Sequence, residues 1–179
     1  MKYNLLIIFA ICLSFAGCEK IKDATSITVS TKLEFSMPLS IFSVGLKSAD
    51  LTSEATSLVF NKTQDLSIAD NTDISPYLSK INEIKLGTTV VTVSGLTAGQ
   101  TINTISLEVA GVGNIFTQTN ITMVNNTFTP VIAAGVLDQV SEKLKTDKKI
   151  TITVSGTASG PMTITVGVSI DTKVVVYTL

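Results

Sequence analysis

The side chains with most chemistry to offer are acidic. Glu34, Asp50, Asp65, Glu83 and Glu108 are spread along the chain. Any two that met across a concave surface could hydrolyse a glycosidic bond, one as the acid and the other as base or nucleophile. Nothing in their spacing brings a pair together, and Glu34 and Glu108 fall on the polar side of alternating segments, where water solvates them. Asp65, Asp70 and Asp73 carry the hard oxygens that calcium takes. They lack the alternate-position ligands, the glycine and the terminal glutamate of a calcium loop, so capping and turn chemistry is the expectation for them. A desolvated lysine could act as a nucleophile, but no pattern singles one out.

Composition narrows the chemistry further. The chain has no histidine and no tryptophan, and its thirteen basic residues are all lysine. Histidine is the commonest general base, the usual partner of a nucleophilic serine and the commonest transition-metal ligand. Arginine is the bidentate reader of phosphate and carboxylate. There is no Gly-x-Ser-x-Gly elbow, no Ser-x-x-Lys dyad and no phosphate-cradling loop. Gly111 and Gly113 begin like a dinucleotide loop, but Phe116 stands where a third glycine is needed. A turn or bulge is expected there. The net charge of −1 gives no electrostatic footprint for nucleic acid. The expectation is a chain that is no enzyme and holds no cofactor and no metal. Without tryptophan, a stacking platform reduces to Tyr77, Tyr177 and the phenylalanines, and Phe35, Phe42, Phe60, Phe116 and Phe128 are expected in the core.

One further residue type carries chemistry, the cysteine. Lys2 supplies a positive start, Leu5 to Leu13 an uninterrupted apolar run, and Ala16 and Gly17 two small residues before Cys18. Nine helical residues cover about 14 Å, short of the roughly 30 Å hydrocarbon core, so the run is not a permanent span. The sequence Leu13-Ser14-Phe15-Ala16-Gly17-Cys18 resembles the lipobox of bacterial lipoproteins, of the Gram-negative, Bacteroidota-like kind, with Phe15 where that family usually has an aliphatic residue. The resemblance covers about the first twenty residues. It implies a signal peptide over 1–17, a diacylglycerol thioether on Cys18, and an acyl chain such as palmitate on the new amino terminus. The other reading is an ordinary secretory signal cleaved near Ala16. With Cys12 discarded and Cys18 lipidated, the mature chain has no thiol for a disulfide or a metal. Two acyl chains turn marginal binding into stable anchoring. Residues 18–26 form a polar tether in which Glu19 and Asp23 are a scattered version of the acidic signal that sorts some lipoproteins to the cell surface.

The elements behind the tether are mostly strands. Ile27, Val29, Leu33, Phe35 and Met37 alternate with Thr28, Ser30, Lys32, Glu34 and Ser36, the period of a half-buried antiparallel strand. Pro38 ends it or marks a sheet edge. Leu39–Val44 and Ser57–Phe60 are weaker candidates, and Lys47–Ala55 is a loop or one turn of helix. Ile74, Tyr77, Leu78 and Ile81 at helical spacing, with Ser75 as N-cap and Pro76 at N1, predict a first short helix. Two strands follow, through Val93 and from Ile105, joined as a hairpin. Strand-prone runs cover Asn114–Met123 and Asn126–Ile132. Val136, Val140 and Leu144 predict a second helix, with Lys143 and Lys145 at the negative end of its dipole. Ile150–Val154, Met162–Ile170 and Val174–Leu179 then complete the strands.

Thr92-Val93-Ser94-Gly95 and Thr153-Val154-Ser155-Gly156 are identical and 61 residues apart, each after a helix pattern and before a returning strand. The echo suggests two related halves. The fold expected for residues 27–179 is a single all-β domain, a two-sheet antiparallel β-sandwich, immunoglobulin-like, with two short helices. The function expected is that of a non-catalytic binding or structural module, lipid-anchored to the outer membrane of the cell envelope. Its partners would be the membrane, through Cys18, and an envelope protein or surface polymer. The alternatives are a carboxylate-dependent hydrolase and a carrier of an apolar ligand in a cavity of about 300 Å³ between the sheets.

Overall fold

The computed structural model describes residues 26–42, 57–119, 121 and 126–178. The signal segment, Cys18, the tether up to residue 25, Asp50 and the Lys47–Ala55 segment lie outside the described residues. Within them the chain runs as β1 (Ser26–Ile41), β2 (Leu58–Ser67), two short 3-10 turns (Ile68–Asp70 and Ser75–Tyr77), β3 (Ile81–Ser94), β4 (Ile102–Val109), β5 (Gly113–Thr119), β6 (Thr127–Phe128), α1 (Ala134–Asp147), β7 (Lys149–Ala158) and β8 (Met162–Tyr177). Two four-stranded antiparallel sheets result, in the orders β1-β8-β3-β6 and β2-β7-β4-β5. The expected two-sheet antiparallel β-sandwich is the architecture found. Its strand order is that of an eight-stranded jelly roll, in which successive strands mostly change sheet.

Alternation explains the core. Leu33, Phe35, Met37, Leu39 and Ile41 of β1 face inward across from Ile164, Val166, Val168 and Ile170 of β8, all buried. Ile150, Ile152 and Val154 of β7 meet them from the other sheet. Pro38 sits within β1 and marks an edge, since among the described residues β1 pairs on one side only, with β8. β8 is longer than its two predicted pieces, because Asp171-Thr172-Lys173 does not break it. Thr172 points inward at 2% exposure and donates its hydroxyl to the Ile170 carbonyl, so the core tolerates it. Of the five phenylalanines expected inside, Phe35, Phe60 and Phe116 are buried, and Phe128 is half-buried and meets Phe116 edge-to-face at 6.2 Å. Phe42 is 68% exposed, because β1 has ended one residue earlier.

Two connections differ from expectation. β3 and β4 are not a hairpin, since β3 pairs with β8 and β6 while β4 pairs with β5 and β7. Alternation reveals which face is buried but not which strand supplies the hydrogen bonds. The Gly95–Thr101 connection can cross the roughly 10 Å between sheets, and Gly95, at φ +90°, runs so close to β8 that a Cβ would lie 2.8 Å from the Thr163 carbonyl. The first helix is a single 3-10 turn, Ser75–Tyr77, whose N-cap is Ile74. The capping is done by Asn71, whose Oδ1 accepts the N–H groups of Asp73 and Ile74. Ile81 is already paired with Val176, and the Lys80 carbonyl accepts the Tyr177 N–H, so no further turn fits. The second helix is α1, buried through Val140, Ser141 and Leu144 and ended by Lys148 at φ 60°. The glycines at 111 and 113 form the expected turn, at φ +82° and +102°, joining β4 to β5.

The sequence echo falls on topologically equivalent strands. Adding four to each strand number, cyclically, turns β1-β8-β3-β6 into β5-β4-β7-β2, the second sheet read from its other edge. The helical connections β2→β3 and β6→β7 are equivalent under the same operation. The two glycines of the echo nevertheless do different work. Gly95 is a left-handed turn residue, whereas Gly156 lies within β7, where a Cβ would be 2.1 Å from the Thr104 carbonyl.

Candidate functional site

Each described acid that has a partner is engaged by a hydroxyl or a lysine. Asp65 on β2 accepts hydrogen bonds from Thr151 Oγ1 at 2.7 Å and Lys149 Nζ at 2.9 Å. These, the threonine first, hold its carboxyl below the ordinary value of 3.8. That is the opposite of what a general acid at neutral pH needs. Glu34 accepts from Ser169 Oγ at 3.1 Å, and Glu83 pairs with Lys85 at 3.2 Å. Glu108 is exposed on β4. Asp73 accepts from Thr31 Oγ1 at 2.6 Å, which ties the β2–β3 connection to β1 in the turn chemistry expected of it.

Glu34 and Asp65 border one cleft, although their side chains bond to Ser169 of the first sheet and to Thr151 and Lys149 of the second. Among the described residues β1 is the edge of one sheet and β2 the edge of the other, and the two edges lie on the same side of the sandwich. The cleft between them has a volume of about 440 Å³ and is lined by Lys32, Glu34 and Ser36 from β1 and by Gln64, Asp65 and Asp70 from β2 and the turn after it. Both ends are stapled: Asn71 Nδ2 donates to the Lys32 carbonyl at 3.0 Å, and Lys62 Nζ donates to the Pro38 carbonyl at 2.5 Å. Pro38 was the one signal in the sequence that this edge exists. Which strand faces it across the cleft depends on the topology.

Two further surfaces emerge from strand register. On the outer face of the first sheet, Lys32 lies opposite Asp171, and Lys173 opposite Lys85 and Ser30. The three lysines come from three adjacent strands and line a shallow depression of about 600 Å³, opened by the bulge at Gly87. Sequence spacing could not reveal this convergence, because residues 32, 85 and 173 meet only through the sheet. The outer face of the second sheet is a ladder of hydroxyls. Thr63 bonds Thr153 at 3.0 Å, Thr104 bonds Thr157 at 2.8 Å and Ser106 bonds Thr117 at 2.5 Å. Cross-strand threonine pairs stabilise a sheet face while keeping it polar. Tyr77 and Tyr177 are both half-buried, and Tyr77 packs against the core. Among the described residues no group of three or more His, Cys, Asp or Glu could hold a metal ion, and no helix is long and apolar enough to cross a membrane.

No known protein family matches the sequence, and no curated protein matches it. Among solved structures, the decameric BFDV capsid protein is similar over 83% of this chain and 99% of its own, at 9% identity and a TM-score of 0.43. The Desmodium yellow mottle tymovirus structure is similar over 84% of each chain, at 11% identity and a TM-score of 0.32. The VP2 subviral particle of infectious bursal disease virus covers 86% of this chain with 37% of its own, at 11% identity and a TM-score of 0.26.

Proposed function

We propose that this chain is a lipoprotein anchored to the outer membrane through Cys18, and that its sandwich is a non-catalytic module binding another envelope component. The observation that carries the reading is the point at which the sandwich begins. Ser26 opens β1 and pairs with Tyr177 at the end of β8. Eight residues lead from Cys18 to Ser26, a fully extended reach of about 26–29 Å. A lipidated Cys18 would therefore hold the end bearing the β2–β3, β4–β5 and β6–β7 connections close to the membrane. The opposite end, with the Gly95–Thr101 and Ser159–Pro161 connections, would stand roughly 50 Å further out, the length of a 16-residue strand. Those two outer connections are tied together, with Thr101 N–H donating to Ser159 Oγ at 2.9 Å and Gln100 Nε2 to the Pro161 carbonyl at 3.2 Å. A pre-organised end loses little conformational freedom on binding.

The binding reading is also supported by what the acids do, since Glu34, Asp65 and Glu83 are engaged by hydroxyl and lysine partners. The test is Cys18→Ala in the full chain. The expected outcome is loss of metabolic acyl label and release from the membrane fraction, with the circular-dichroism spectrum unchanged. A variant that stays in the membrane fraction and keeps its label overturns the reading.

A further inference from the structure

On the outer face of the first sheet, strand register sets like charges against each other. Lys85 of β3 lies directly opposite Lys173 of β8, and like charges so placed are destabilising. Lys32 of β1 joins them, two residues beyond Ser30, which faces Lys173 from the other side. Lys85 reaches Glu83 at 3.2 Å, an exposed pair of little strength. The side chains of Lys32 and Lys173 make no ion pair among the described residues. Nor does that of Asp171, although it lies opposite Lys32 in register. The nearby Glu34 is engaged by Ser169 Oγ.

The floor beneath these groups is hollow. Between Leu86 and Thr89, β3 carries one residue more than β8 carries between Thr172 and Ile170, so Gly87 and Thr88 share the place across from Asp171. Gly87 leaves that place unfilled, since a side chain there would rise beside Asp171, with its Cβ 3.5 Å from the Asp171 Cβ. The depression of about 600 Å³ that results lies in the size range of small-molecule sites.

We infer that this depression is a binding site for a phosphorylated sugar or polyol. A phosphate seated between Lys85 and Lys173 would relieve their opposition and take charge-assisted hydrogen bonds from both ammonium groups. Asp171, which can only accept when ionised, would take the ligand's hydroxyl groups. A bare phosphate would leave that acid unused beside a like charge, and a neutral sugar would leave the lysines opposed. In a chain without arginine, lysine is the cation that phosphate can meet. Lys173 pairs with Ser30, four residues along β1 from Ser26, or roughly 13 Å up the strand. A lipid headgroup and a free sugar phosphate share the chemistry this place would recognise. The inference deepens the binding-module reading and rests on it, naming the surface and the class of ligand.

The test is calorimetric titration of the full chain, in a detergent without a sugar headgroup, with glucose-6-phosphate, inorganic phosphate and glucose. Glucose-6-phosphate is expected to bind at least about tenfold more tightly than either of the others, with an affinity that falls as salt rises. Lys173→Gln should weaken it by about tenfold or more at a thermal midpoint equal to or above the parent's, because it also removes the like-charge opposition. Asp171→Asn should bring glucose-6-phosphate down to the affinity of inorganic phosphate. Gly87→Val fills the floor at a position where an added Cβ makes ordinary contacts, and it should abolish binding in a folded chain. Titration after reconstitution into phosphatidylglycerol and into equally anionic phosphatidylserine vesicles separates the two sources. Competition by phosphatidylglycerol alone marks a lipid headgroup, and equal affinity in both vesicles marks a soluble ligand. Equal binding of glucose-6-phosphate and inorganic phosphate, or full affinity in a folded Lys173→Gln or Gly87→Val chain, overturns the inference. A folded, membrane-anchored chain that binds none of the three sinks this inference and leaves the anchor standing. Failure of the Cys18→Ala test with ligand binding intact does the reverse.

Discussion

Replacing Gly156 by alanine inserts one methyl group at the most crowded point of the second sheet. Gly156 lies in β7 between Phe60 of β2 and Ile105 of β4, its direct neighbours in register. The new Cβ would stand 2.6 Å from Phe60 Cζ and 2.1 Å from the Thr104 carbonyl oxygen. The phenyl ring can turn aside. The carbonyl cannot, because it belongs to a strand paired on both sides, and the irregularity between Ile102 and Thr104 is what lets it reach in. Overpacking of this kind costs about 1–3 kcal/mol. One or two distorted ladder bonds add about 0.5–1.5 kcal/mol each. The stiffer unfolded chain returns about 0.4–1 kcal/mol. The expected net loss is about 2–4 kcal/mol, or a Tm lower by roughly 5–15 °C. Thermal and urea unfolding followed by circular dichroism would measure it. Gly160→Ala is the matched control, since nothing lies within 4 Å of its Cβ, and it should stay within about 0.5 kcal/mol of the parent. A Gly156→Ala chain as stable as the parent, or a Gly160→Ala chain equally weakened, would refute the argument that backbone proximity in β7 demands glycine.

Two other substitutions test local electrostatics and polarity. Because the folded state holds the Asp65 carboxyl below 3.8, it binds fewer protons than the unfolded chain as that range is crossed. Its stabilisation is present above that value and lost as pH falls through the lower folded pKa. The urea-midpoint advantage of the parent over Asp65→Asn should therefore shrink between about pH 6 and about pH 2.5, and a constant or growing difference would contradict the assignment. Thr89 is 4% exposed, follows the bulge in β3, and its hydroxyl has no hydrogen-bond partner among the described residues. Thr89→Val should raise stability by about 1–2 kcal/mol, the cost of an unmet buried hydroxyl. A loss in chemical denaturation would mean that the hydroxyl is satisfied.

The period of two in Leu33–Ile41, Ile150–Val154 and Met162–Ile170 was enough to determine an all-β chain with one apolar face per strand, and so a sandwich. Pro38 announced an edge, and the spacing of Val136, Val140 and Leu144 a helix. These signals are local: each depends on residues a few positions apart that share one face of one element. Tertiary structure alone decided that β3 and β4 part to opposite sheets, that β8 runs on through Thr172, and that the first helix stops after one turn. It also decided every surface with a claim to function. Lys32, Lys85 and Lys173 meet only through the register of three strands, and Glu34 and Asp65 share a cleft only because β1 and β2 are edges on the same side. Burial is written residue by residue as hydrophobicity, whereas pairing is a choice among strands with nearly the same alternation, settled by the packing of the whole chain.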